Sequence, residues 1–124
     1  MHANPRQTDT LFGLFIRERD RKCVFKIKCG GSSKIIRLDP CHFLSKGSSS
    51  EAVRFHPDNA DAGCDLCHEW IDHTADGIIW HREFKLKQLG ETKYWELVRL
   101  ANSYKKRNDK QDKIDIKNLF ETIN

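Results

Sequence analysis

Two short stretches of this chain carry residue types that could do chemistry together. They are Asp39-Pro40-Cys41-His42-Phe43, and Asn59 followed by the run Cys64-Asp65-Leu66-Cys67-His68. An imidazole with an ordinary pKa near 6.5 can take a proton from water at neutral pH, which suits His42 as a general base. Phosphodiester hydrolysis needs such a base on one side and a cation on the other, where charge develops on the phosphate and the leaving oxygen. His68, one residue past the Cys-x-x-Cys pair, could help to hold that cation. Asp72 lies four residues further on and shares a helical face with His68, whereas His73 is rotated by roughly 140°. Asp72 is therefore preferred as the partner ligand, with Asp39 an alternative from the strand side. Asn59 would not act chemically; its amide can tie the loop after the hairpin and so keep His42 in register.

The cysteines supply a second kind of site. Cys23 and Cys29 are separated by five residues and Cys64 and Cys67 by two, with 34 residues between the pairs. A zinc ion about 2.3 Å from each of four thiolates can be clasped by two such pairs from distant segments. The spacing of Cys64 and Cys67 is the usual one for a zinc knuckle; that of Cys23 and Cys29 is wider. An odd total of five cysteines excludes a fully paired intrachain disulfide framework. The opening residues lack a charged region followed by an apolar run, and no stretch approaches the ~20 apolar residues of a membrane span. The expectation is a soluble protein of a reducing cytoplasm, where a Cys-x-x-Cys pair more often holds metal than a disulfide. Cys41, left over and adjacent to His42, either fills space or touches the catalytic metal.

These residues must be positioned by a small domain. In 124 residues, 38% are hydrophobic and 32% charged, which leaves a thin core in need of a staple. The net charge of +4 is compatible with a polyanionic partner without requiring one. Residues 8–19 alternate as an amphipathic helix, placed at 9–20 after a flexible 1–8, with Thr8 or Asp9 as cap and Leu11, Phe12, Phe15 and Ile16 as its apolar stripe. Residues 20–56 read as short strands and loops, the strongest strand patterns being 24–27 and 34–38 around a Gly30-Gly31-Ser32-Ser33 turn. Lys46-Gly47-Ser48-Ser49-Ser50 reads as a flexible loop.

From Cys64 onward the pattern is helical. One helix starts at the knuckle and fades near Thr74; a second, around 78–89, is stopped by Gly90. A third spans about 92–106 with Tyr94, Leu97, Val98, Ala101 and Tyr104 on one face. A last short one carries Ile114, Ile116, Leu119 and Phe120. The fold class is α+β, one domain with a small β-rich metal core at 21–75, an N-terminal helix and C-terminal helices within 76–124.

Several stretches resemble the phage NinG (Rap) recombination proteins, members of the HNH or His-Me finger endonuclease superfamily. They are 11–20 (Leu11-Phe12-Gly13 onward), Asp39-Pro40-Cys41-His42-Phe43-Leu44-Ser45-Lys46-Gly47, Ala52-Val53-Arg54-Phe55 with Asn59, the Cys64-x-x-Cys67 knuckle, and Leu89-Gly90. Together they cover about residues 10–120. The 64–72 stretch and the wide Cys23/Cys29 pair are similar to the related YbcO-type prophage nucleases. The resemblance implies a zinc-stabilised ββα-metal, treble-clef-like core. It also implies a metal-dependent endonuclease acting on branched DNA such as Holliday junctions or D-loops, in the cytoplasm of a bacterial host. In those terms His42, Asn59 and His68 are the catalytic set, Cys23, Cys29, Cys64 and Cys67 hold structural zinc, and His68 with Asp39 or Asp72 holds catalytic Mg²⁺ or Mn²⁺. The chain differs from the NinG pattern in having Cys41 where glycine is usual, five residues inside its first cysteine pair, and His68 in place of asparagine.

DNA contacts would fall mostly on phosphate, with Arg37, Lys46 and Arg54 nearest the site. Lys105, Lys106, Arg107, Lys110, Lys113 and Lys117 are interleaved by Asp109, Asp112, Asp115 and Glu121, the pattern of a solvated helix face. Paired cuts across a junction would require a symmetric homodimer. The competing function class is a non-catalytic zinc-stabilised module that binds DNA or protein. A structural or inhibitory phage protein has no positive feature in its favour.

Overall fold

A computed structural model describes residues 6–30, 37–47 and 49–123. It is an α+β arrangement with five α-helices and a two-stranded sheet among the described residues. Helix α1 (Gln7–Asp20) lays Phe12, Phe15 and Ile16 into the core. It begins one residue before Thr8, so neither Thr8 nor Asp9 caps it, and the side chain of Arg6 at the cap position makes no capping hydrogen bond to the helix. Asp9 instead uses its place in the first turn to hold Arg54.

Strand β1 (Leu38–His42) pairs antiparallel with β2 (Ala60–Cys64), in a register that sets His42 opposite Ala60 and Asp39 opposite Gly63. Short helix α2 (Glu51–Arg54) and a 3₁₀ turn (Pro57–Asn59) connect them. Helix α3 (Asp65–His73) follows β2 directly, with Cys64 as its N-cap. The order strand, strand, helix therefore places the cysteine knuckle at a strand-to-helix corner.

The strand expected at 24–27 does not form. Lys26 has φ 57°, outside the extended range, and the segment bends around Cys23, touching the sheet through Val24 N–H to the Ala62 carbonyl at 2.8 Å. Of the strand expected at 34–38, residues 34–36 lie outside the described residues, as do 31–33 of the expected turn. The strand that is described starts at Leu38 and runs through Pro40 to His42, further than expected. Pro40 is tolerated because each strand of a two-stranded sheet has an open edge, where a missing N–H costs no ladder bond.

Helix α4 (Ala75–Ala101) is two helices end to end, broken at Gly90 (φ 81°, ψ 164°) as its glycine predicts. It stops at Ala101 and not near residue 106. Asn102 Nδ2 bonds back to the Val98 carbonyl and Ser103 Oγ to that of Leu100, which ends the turn and leaves Tyr104 outside and exposed. Helix α5 (Asp109–Phe120), capped by Asn108, returns against α1 and stacks Phe120 edge-on against Phe15.

The core has two parts. One joins Phe12, Phe15 and Ile16 to Ala60, Ala62 and Ile116; the other surrounds Cys23, Cys41, Cys64 and Cys67 with Phe25 and Ile71. All five residues of β2 are buried, including Asp61, whose carboxylate takes hydrogen bonds from Lys85 Nζ and Gln88 Nε2 at 2.9 Å each. Lys85 is itself only 1% exposed, so this ion pair pins α4 to the sheet from inside.

Gly63 is where the two layers come closest. A Cβ there would sit 2.8 Å from Cys41 Sγ and 2.8 Å from the Phe25 ring. Gly63→Ala is expected to cost about 1–3 kcal/mol by overpacking. A thermal melt of the variant would show this as a lowered midpoint, and an unchanged midpoint would mean that Phe25 yields freely.

Candidate metal centre and cleft

The segment after α1 brings Cys23 and Cys29 to the β2–α3 corner that carries Cys64 and Cys67. Their four sulfurs lie within 4.8 Å of one another, Cys29 and Cys67 being 4.0 Å apart. A tetrahedral ion with bonds of about 2.3 Å needs sulfurs about 3.8 Å apart, so the set could hold a metal such as zinc with small adjustment. Backbone N–H groups already point at the sulfurs. Lys26 N–H faces Cys23 at 3.5 Å, Lys28 N–H faces Cys67 at 3.4 Å, and Cys67 N–H faces Cys64 at 3.4 Å. Burial works to raise the Cys23 thiol, but the backbone N–H groups of Cys64 and Lys26 bring it down to about 7, while burial and the neighbouring thiols push Cys64 up to about 12. A bound cation is what would let all four ionise together.

The strand ends and α3 build a second centre beside this one. His68, in the first turns of α3, places Nδ1 3.0 Å from Asp39 Oδ2 on β1 and Nε2 2.9 Å from Asp72 Oδ2 one turn along α3. The helical phase thus favours Asp72 over His73, and the strand-side alternative is in contact as well. Burial works against the Asp39 carboxylate, but His68 and the Arg37 guanidinium at 2.8 Å hold it below the usual range. The two carboxylates sit on opposite nitrogens of the ring, so the positive charge between them is the imidazolium itself. Among the described residues, only the four cysteines form a ready-made ligand cluster.

His42 closes β1. Its Nε2 lies 3.0 Å from the Arg54 carbonyl, which can only accept, so Nε2 carries the hydrogen and Nδ1 keeps a lone pair. The ring packs on Phe12 with centroids 5.7 Å apart. Burial drives its pKa down to about 4, so at neutral pH the imidazole is uncharged. Asn59, fully buried, accepts from Leu44 N–H at 2.8 Å and donates to the carbonyls of Leu44 and Val53 at 3.0 and 3.1 Å. It ties the loop after β1 to the end of α2, next to the carbonyl that orients His42. One open cleft of about 510 Å³ is lined by His42, Lys46, His68 and Asp72 together.

Comparison with family models, with curated proteins and with solved structures finds no match to this chain.

Of the three cations expected to face DNA, Arg54 is committed elsewhere. Its guanidinium makes two bonds to Asp9, at 2.9 and 2.6 Å, and a third to the Lys46 carbonyl. Arg37 remains exposed, although paired with Asp39, and Lys46 lines the cleft with His42. Cys41 is fully buried with its sulfur 3.4 Å from the Asp39 carbonyl. Burial, and then the charges of Asp72 and Asp39, push its thiol above the ordinary range, so it behaves as core filler. The Lys85–Asp61 pair had no signal in the sequence; only the depth of β2 shows why a charge sits there.

The His68 clamp has a pH signature. The bond to Asp72 raises the His68 pKa to about 9, with burial opposing and Asp39 adding. Because that lies above the ordinary 6.5, the clamp's contribution to stability is complete below pH 6.5 and fades as pH rises through about 9. Proton NMR of the His68 ring is expected to show a midpoint near 9, falling toward 6.5 in Asp72→Asn. A wild-type midpoint near 6.5 would contradict the clamp.

Proposed function

We propose that this chain is a zinc-stabilised, metal-dependent DNA endonuclease of the HNH type, with His42 as general base. The observation that carries the reading is the shared cleft, in which a neutral, backbone-oriented His42 faces His68 and Asp72 across space open to solvent. The β1–β2–α3 order, the Asn59 tie and the cysteine knuckle suit a ββα-metal core of treble-clef type. Zinc is the ion proposed for Cys23, Cys29, Cys64 and Cys67, since four thiolates suit it best.

A Mg²⁺ or Mn²⁺ ion held by His68 with Asp72 and Asp39 would supply positive charge to the scissile phosphate and the leaving 3′ oxygen. The rest is the work of side chains. His42 Nδ1 accepts a proton from the attacking water while Nε2 stays bonded to the Arg54 carbonyl. A pKa near 4 makes a weak base in the free protein, and a phosphate brought alongside raises it toward neutrality. Asn59 keeps the loop and the Arg54 carbonyl in place, and Lys46 offers its ammonium to the backbone. Selectivity for branched DNA, a phage or prophage setting in a bacterial cytoplasm, and paired cutting by a homodimer follow from the family resemblance and belong to this proposal.

One observation favours the alternative of a non-cleaving binding module. Both nitrogens of His68 are already occupied by carboxylates, an arrangement complete without a second ion. Incubating purified protein with a labelled four-way junction and a matched linear duplex, with and without Mg²⁺ or Mn²⁺, separates the two. Metal-dependent cutting, faster on the junction, is expected. Binding without cutting in every metal would establish the module.

A further inference from the structure

The basic residues of the C-terminal helix are not all a solvated face. A cleft of about 400 Å³ between the first turn of α1 and α5 is lined by Arg6, Thr8, Arg107, Lys110, Lys113 and Lys117. The spacing of Lys110, Lys113 and Lys117 puts them on one side of α5. The one carboxylate in the wall, Asp109, is already held at 2.7 Å by both Arg6 and Arg107. Lys110, Lys113 and Lys117 have no ion-pair partner among the described residues, whereas Lys105, on the other flank, reaches Asp112. Like charges gathered around one concavity repel, and an anion relieves them.

The wall opposite the lysines adds polarity of the same sign. The α1 N-terminus has no side-chain cap, so its first N–H groups bring the positive end of a 14-residue helix to the cleft. The Thr8 hydroxyl, on a residue 4% exposed, has no hydrogen-bond partner among the described residues.

We infer that this cleft is a second phosphate-binding site, which grips the DNA backbone away from the His42 cleft. The inference rests on the reading of the chain as a DNA-binding protein. The length of the row decides between a strand and a single free phosphate. From Lys110 to Lys117 the helix rises about 10 Å, too long for one phosphate ion, while each strand of a duplex advances about 3.4 Å per phosphate. The two sites are joined by contacts. Asp9, on the same turn of α1 as Thr8, holds Arg54, and the Arg54 carbonyl holds His42.

The test is fluorescence anisotropy of the zinc-loaded full chain on a labelled duplex, from 50 to 200 mM salt. Wild type is compared with the Lys110→Gln/Lys113→Gln/Lys117→Gln variant and with Lys113→Glu alone, a single exposed change that leaves the fold intact. The triple variant is expected to bind at least tenfold more weakly at 100 mM salt. Its log–log salt slope should be shallower by about 2–3, at ~0.9 per phosphate released. Lys113→Glu should weaken binding in the same direction. Affinity within twofold of wild type with an unchanged slope would overturn the inference, as would a wild type that binds no DNA. If the slope changes while wild type cuts no DNA under any metal, the second site stands and the nuclease reading falls.

Discussion

If zinc fills the four-cysteine site as proposed, chelating it, or replacing Cys67 with serine, is expected to unfold the domain. In the half of the core around Cys23, Cys41, Cys64 and Cys67 the large side chains that are buried are Phe25 and Ile71, while Leu38, Trp70, Trp80 and Phe84 pack on it only partly buried. The sheet beside it has two strands, and two strands alone are marginal in water. Structural zinc contributes about 10–16 kcal/mol at neutral pH in small domains, against a total stability of about 5–15 kcal/mol. Without a bound ion most of the four clustered thiols stay protonated, and the loop carrying Cys23 and Cys29 is left to hold α3 through side-chain packing and the Lys28 ammonium over the Trp70 ring at 4.6 Å. Far-UV circular dichroism after quantitative chelation, with zinc release counted by a colorimetric chelator, measures this. A cooperative melt that survives complete release would show that the cysteines are ordinary core.

His42→Ala is expected to lower the rate of metal-dependent cleavage by about 10²–10⁴-fold, the usual contribution of a general base, while the protein stays folded. Phe12 loses a neighbour and the Arg54 carbonyl a donor, and far-UV circular dichroism of the variant checks that the fold survives the loss. Single-turnover rates across pH add a check that structural damage would not mimic. In wild type at limiting Mn²⁺ the rate should rise toward pH 9, because the proton on His68 competes with the ion. His42→Ala should keep that limb on a much lower rate. A rate within threefold of wild type would remove His42 from the chemistry.

What could be read from the residues was whatever is encoded locally. The stripe of Phe12, Phe15 and Ile16 marks α1, Gly90 marks the break in α4, and the phase of α3 sets Asp72 beside His68. The role of Asn59 was legible because an amide between a hairpin and a knuckle has few partners other than the loop backbone. Strand β2 was not. Ala60-Asp61-Ala62-Gly63-Cys64 has no β-branched or aromatic residue, and burial on both faces erases the alternation that marks a half-exposed strand. The pairing of Arg54 was not legible because its partner, Asp9, lies 45 residues away and nothing local announces the pair. The basic cleft was missed for the same reason. Along α5 the acids dilute the lysines, and only the packing of α5 on α1 gathers the unpaired ones around one opening.

Whether a second divalent ion binds beside His42 separates an enzyme from a binding module most directly. Mn²⁺ should be titrated into the zinc-loaded protein at pH 8 while paramagnetic broadening of the histidine ring signals is followed. One equivalent that broadens His68 and then His42, with the effect lost in an Asp39→Asn/Asp72→Asn variant, is the predicted result. Signals that stay sharp to millimolar Mn²⁺, or that broaden equally in the variant, would contradict it.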